Sequence, residues 1–193
     1  MQQFFVSISE KYYVSLWQTN HPEHLSNKDK SMLNRKFILN FIQQLTNDPF
    51  TELNFNVNNK PILINKIYKS ISISHTLNLL AIQLHKEPYA GIDIETERLA
   101  LIKVQKKFLN ENEIELANNN LKTLCLLWTA KESIYKIHGT TNITPKDIQI
   151  SQINLPYIYA QIKNSNLHEE YTLYSQSLFL KKNLTITYVQ QKN

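Results

Sequence analysis

Lys86-Glu87-Pro88-Tyr89-Ala90-Gly91-Ile92-Asp93-Ile94-Glu95 is the stretch on which the reading of this chain turns. Before it the chain is mostly strand-like, and after it the texture becomes helical. Lys86 to Tyr89 read as a turn. Ala90 to Ile94 read as a strand, because apolar and acidic residues alternate. Side chains on a strand point to opposite faces in turn, so Asp93 and Glu95 share one face while Ile92 and Ile94 share the other, buried one. The sequence holds only two glycines, Gly91 and Gly139. A chain this sparing with glycine keeps it where a positive φ or a close backbone approach is needed.

Working upstream, Phe4–Ile8 and Tyr12–Trp17 are aromatic and β-branched and predict strands. Ser26 precedes a helical pattern to about Leu45, with Leu33, Phe37, Ile38, Phe41 and Ile42 at helical spacing. Strands are expected at Leu53–Val57, Ile62–Ile64, Ile71–Ser74 and Leu79–Leu84. Downstream, Leu99 to about Asn118 predicts a helix broken near Asn110, and Leu121 to His138 a long helix. Strands resume near Asp147–Ser151, Tyr157–Ile162 and Leu184–Val189. Each half combines helix with antiparallel-looking sheet, so the fold class is α+β. The expected division is residues 1–88 and 89–193.

Hydrophobic residues make up 42% of the 193 and charged residues 19%, as in ordinary globular proteins. The formal charge is +5, compatible with a polyanionic small ligand, an acidic protein or nucleic acid. One cysteine, Cys125, rules out an internal disulfide, and its apolar setting predicts an inert thiol. The N-terminal stretch lacks the basic and apolar regions of a signal peptide, and no run matches a membrane span, so a cytoplasmic location is expected.

The chemistry is concentrated in few segments. Two carboxylates side by side on a strand repel, and a cation relieves the repulsion. Hard oxygen ligands suit magnesium. A solvated acidic rim is the plain alternative. In the helix Trp128-Thr129-Ala130-Lys131-Glu132-Ser133-Ile134-Tyr135-Lys136-Ile137-His138, Glu132 lies one turn from both Trp128 and Lys136 and shares their face. Lys131 is rotated about 100° from Glu132. Ser74-His75-Thr76 ends a strand, and Lys60 precedes Pro61. Each offers donors to phosphate oxygens, although when taken alone each is more commonly an ordinary turn residue.

The pair Gly91-Ile92-Asp93-Ile94-Glu95 and Trp128-Thr129-Ala130-Lys131-Glu132-Ser133-Ile134-Tyr135-Lys136 resembles the paired signature of the 4'-phosphopantetheinyl transferases. Three further segments resemble the surfactin-synthetase-activating type: Ile73-Ser74-His75-Thr76, Asn59-Lys60-Pro61, and Lys107-Phe108-Leu109-Asn110-Glu111-Asn112-Glu113. The resemblance implies a monomer of two similar α+β lobes in tandem, related by a pseudo-twofold, with coenzyme A in the cleft. It implies transfer of phosphopantetheine from coenzyme A to a serine of an acyl or peptidyl carrier protein, releasing 3',5'-ADP. It assigns Asp93, Glu95 and Glu132 to magnesium, and proton or leaving-group chemistry to Glu132, Lys136 and Asp93. It places Lys131, Lys136, Lys60, Ser74 and His75 on coenzyme A oxygens. Arg35 and Lys36, with Lys28 and Lys30, are weaker candidates for its 3'-phosphate. No nucleic acid or membrane partner is expected.

The chain departs from that pattern at Asn59, where the family prefers glycine, and at Thr140-Thr141, where a second glycine is common. Its N-terminal part is also short. Two other functions remain open on the residues alone: a metal-dependent nuclease, and a non-catalytic module binding coenzyme A or a carrier.

Overall fold

The structure is a computed structural model, and it describes all residues except 23, 140–142, 165, 166 and 181, together with the side chain of residue 164. Thr140 and Thr141 therefore lie outside the described residues. The first sheet is built from β1 (Gln2–Ile8), β2 (Tyr12–Gln18), and, after α1 (Asn27–Thr46) and the hairpin β3 (Glu52–Phe55) and β4 (Pro61–Ile64), from β5 (Ser70–Thr76) and β6 (Leu79–His85). Its order is β1-β2-β6-β5, antiparallel throughout. The second begins with β7 (Ile92–Thr96). It continues past α2 (Ala100–Phe108), α3 (Glu111–Ala117) and α4 (Leu121–His138) into β8 (Ile148–Asn154), β9 (Tyr157–Asn164), β10 (Leu167–Phe179) and β11 (Asn183–Lys192). Its order is β7-β11-β10-β9-β8, again antiparallel. The fold is α+β, as expected.

Local signals explain most boundaries. The Ser26 side chain accepts from Asp29 N and starts α1, and Asn47, left-handed at φ 47°, ends it. The break expected near Asn110 separates α2 from α3. Asn110 and Glu113 form a reciprocal capping box there. The sequence pattern gave no strand for Leu167–Phe179, yet β10 is the longest strand described and sits inside the sheet. Its buried face, Tyr171, Leu173 and Ser175, does alternate. The intervening Glu, Thr and Gln and the buried serine dilute the signal.

α1 covers one face of the first sheet through Ile38 and Ile42, packed on Tyr13, Ile71, Leu80, Ile82 and Leu84. α4 covers one face of the second through Ala130 and Ile134, against Ile158, Ala160, Ile162 and Leu173. The two remaining faces meet. Val14, Leu16 and Ala81 of the first sheet share a core with Ile92, Ile94, Leu184, Ile186 and Tyr188 of the second. No helix among the described residues is long and apolar enough to cross a membrane.

The sheets are also joined by side chains where backbone pairing stops. β7 is an edge strand, and its outward N–H groups need partners. Ile92 N donates to Ser72 Oγ at 3.1 Å and Ile94 N to Ser74 Oγ at 3.3 Å. Gln83, fully buried on β6, accepts from Gly91 N at 2.7 Å and donates to Val189 O at 2.6 Å. Replacing Gln83 with Leu leaves both backbone groups buried and unpaired. The expected loss is roughly 2–6 kcal/mol, at about 1–3 kcal/mol for each of the two orphaned groups, measured by chemical denaturation.

Candidate functional site

Gly91 allows β7 to touch α4. A Cβ at this position would lie 2.1 Å from the Ser133 carbonyl oxygen and 2.9 Å from Ile137 Cγ1. The requirement is close approach, since no positive φ occurs at Gly91, whereas Gly139 caps α4 at φ 72°. The contact is finished by a stripe on α4. Cys125 Sγ lies 3.4 Å from Glu95 O, Thr129 Oγ1 2.8 Å from Thr187 Oγ1, and Ser133 Oγ donates to Thr187 O at 2.8 Å. Burial pushes the Cys125 thiol up to about 12, consistent with an inert thiol.

The next residues along this side of α4 carry the charge. Lys136 Nζ donates to Asp93 Oδ1 at 2.7 Å and to Ile92 O at 2.9 Å. Ser74 Oγ donates to the same Asp93 oxygen at 2.6 Å. Asp93 is buried, and burial holds its carboxyl above the ordinary range, against the opposing pull of Lys136 and Ser74. The Glu132 side chain makes no hydrogen bond to any described residue. Burial pushes its carboxyl up to about 7, and the nearby Asp93 charge adds to that push while Lys136 opposes it. Glu95 is buried and adds repulsion at Asp93. Both of its oxygens are engaged: Oε2 by Arg98 Nη2 at 2.7 Å and Oε1 by Thr96 N at 2.8 Å.

Asp93 thus feels both other acids. Among the described residues no three acidic, histidine or cysteine side chains stand as a ready metal cage. The donor set nonetheless fits a hard divalent cation: Asp93 and Glu132 repel, and Glu132 has oxygens to offer.

Lys131 is not brought to this group. It is fully buried and donates to Glu113 Oε2 at 2.6 Å, Ile148 O at 2.7 Å and Pro145 O at 3.2 Å. The 100° step along the helix turns it toward α3 and β8. Glu113 also accepts from Asn110 N and Ile150 N at 3.0 Å each, so the pair ties α4, α3 and β8 together. Trp128 is structural as well, edge-on to Phe108 at 4.8 Å between ring centroids. Ser74, expected on a phosphate, instead secures Asp93.

A cleft of about 360 Å³ opens beside Lys136, lined by Ser72, Ile73, Asn56, Asn59, Lys60 and His138 among others. Lys60 Nζ donates to Ile137 O at 2.5 Å, at the negative end of α4, and burial lowers its pKa. Beyond Asn59 and Pro61 lies a second hollow of about 650 Å³, which His75, Lys30 and Arg35 line. The Arg35 guanidinium lies 3.7 Å above the Phe55 ring. Lys36 and Lys28 are exposed and line neither hollow. Sequence reasoning missed Ser72, Gln83, Arg98 and His138. Ser72 was visible as the alternate partner of Ser74, while the others depend on contacts between distant segments or on the local packing around Glu95.

The fold and site define a class: an α+β protein with a carboxylate–amine cluster beside a cleft lined by amines and amides, suited to a phosphate-rich ligand. The chain belongs to the 4'-phosphopantetheinyl transferase superfamily, whose family model matches residues 89–189, more than half of its length. Members transfer phosphopantetheine, with coenzyme A and a carrier protein as partners. No curated protein matches the chain.

Two outcomes follow. The folded Glu132 pKa of about 7 lies above the ordinary 4.5, so the folded state holds the proton more tightly. The contribution of Glu132 to the stability of the metal-free protein therefore falls as pH rises from about 4.5 to about 7, by up to roughly 3 kcal/mol. Thermal melts of Glu132→Gln should show a flatter profile across that window. Lys131→Met strands Glu113 and should lower stability by about 3–5 kcal/mol, with the coenzyme A affinity of the folded protein unchanged in calorimetric titration.

Proposed function

We propose that this chain moves 4'-phosphopantetheine from coenzyme A to a serine of an acyl or peptidyl carrier protein, with magnesium, releasing 3',5'-ADP. The observation that carries the reading is the grouping of Asp93 and Glu132 around Lys136, which itself lines the cleft. The serine oxygen attacks the pantetheine-bearing phosphorus, and the pyrophosphate P–O bond breaks. Asp93 and Glu132 would hold the magnesium ion, which supplies charge neutralisation at the pyrophosphate. Lys136 already reaches both Asp93 and the cleft. It would donate to phosphate oxygens as charge grows on the departing 3',5'-ADP. Glu132, or a water on the magnesium ion, would accept the serine proton. Lys60 and His138 line the cleft and would meet the nucleotide end. His75, Lys30 and Arg35 would meet the 3'-phosphate in the second hollow, whereas Lys36 and Lys28 face solvent.

The reading includes a monomer acting in the cytoplasm, with two lobes divided near Pro88. Incubation of an apo carrier protein with coenzyme A and magnesium should add one phosphopantetheine mass. Asp93→Ala and Glu132→Ala should each abolish it while far-ultraviolet circular dichroism stays unchanged. Coenzyme A binding with no mass shift on several carriers would point instead to a binding module.

A further inference from the structure

His138 is the last residue of α4 and lines the cleft together with Lys60 and Lys136. Its ring is largely buried and tied to the second sheet. Nε2 stands 2.6 Å from the Tyr171 hydroxyl and 3.1 Å from Glu169 Oε2, both on β10. The Tyr171 hydroxyl donates to that same Glu169 oxygen, so toward His138 it can only accept. Nε2 therefore carries a hydrogen when the ring is neutral. Lys192 Nζ, at the end of β11, pairs with the other Glu169 oxygen. A further proton on the ring leaves all of these bonds in place, because Nε2 stays a donor. Glu169 then stands ready as the partner of an imidazolium.

The charges around the ring come from four elements. Lys60 approaches from the turn between β3 and β4, Glu169 and Tyr171 from β10, and Lys192 from β11, while Lys136 lies two residues back on α4. Burial holds the imidazole below its ordinary range; Glu169 opposes that, and Lys192 and Lys60 add to it. Without a ligand the ring is therefore uncharged near neutral pH. Phosphate oxygens beside Lys60 and Lys136 reverse this balance, because negative charge favours the protonated ring. We propose that His138, oriented by Tyr171 and Glu169, takes up a proton as a phosphate-rich ligand enters the cleft, adding a third cation to Lys60 and Lys136. The proposal rests on the coenzyme A reading above. His138 is then a binding residue, and Glu169 a positioning residue that acts through it. The complex holds the proton more tightly than the free protein, so affinity strengthens as pH falls through the imidazole range.

The test is calorimetric titration of the full chain with 3',5'-ADP in two buffers of different ionisation enthalpy, between about pH 8 and about pH 6. Every protein compared carries Glu132→Gln, which removes the other group whose pKa is raised to about 7. Ionisation of the ligand's own phosphates is common to all titrations and cancels in the comparison. The parent should take up more protons on binding than the His138→Gln variant, by up to about one. Its affinity should gain roughly fivefold more than that variant's from about pH 8 to about pH 6, since one pK unit gained on binding is worth about tenfold. Glu169→Gln should bind within about twofold of the parent at about pH 8, below ordinary site-to-site coupling, and lose most of the gain at lower pH. The same uptake and pH profile in His138→Gln would overturn the proposal. So would a Glu169→Gln affinity lowered by one factor at every pH, because a strap that only holds the helix end acts that way. If 3',5'-ADP binds the parent with no proton uptake, the coenzyme A reading stands and the proposal falls. If it does not bind at all, both fail together.

Discussion

The Asp93 carboxylate joins three pieces of the chain. One of its oxygens takes hydrogen bonds from Ser74 of the first sheet and Lys136 of the long helix, and Asp93 itself belongs to the second sheet. A carboxylate this deeply buried is costly unless charged and polar donors surround it. Ser74 and Lys136 meet that demand, and in doing so they fix the edge of β7 against α4. Gly91 makes the contact sterically possible, because any Cβ there would overlap the Ser133 carbonyl.

The same edge explains why the two sheets form one body. An open edge strand beside a ligand cleft would leave its amide groups unsatisfied. Here Ser72 and Ser74 substitute hydroxyls for a neighbouring strand's carbonyls, and Gln83 bridges Gly91 and Val189. These polar links sit beside an apolar interface shared by both sheets. The carboxylate–amine cluster therefore stands where two packed sheets meet, on regular elements rather than loops, which favours a fixed geometry.

Motif residues divide into two kinds of work. Trp128, Phe108, Glu113 and Lys131 hold α2, α3, α4 and β8 to each other. Asp93, Glu132 and Lys136 are left to form the charged cluster, with Lys136 lining the cleft. A basic residue inside a signature segment is thus no guide to ligand contact by itself. Lys131 and Lys136 are both lysines on one helix, yet one is sealed in an ion pair and the other reaches the cleft.

By itself the sequence determined the class of fold, nearly every element though not its exact ends, and the shared face of Asp93 and Glu95 on one strand and of Glu132 and Lys136 on one helix. Those follow from local periodicity and capping, which a single segment encodes in full. It did not determine β10, whose buried face mixes Tyr and Leu with Ser, nor the roles of Ser74, Gln83, Lys131 and Arg98. Those were decided only by tertiary structure, because a polar side chain's role is set by the partner it meets, and most of these partners lie far away in sequence. Arg98 is the exception in distance but not in kind: it sits only three residues from Glu95, and burial of that carboxylate is what gives their pairing its weight.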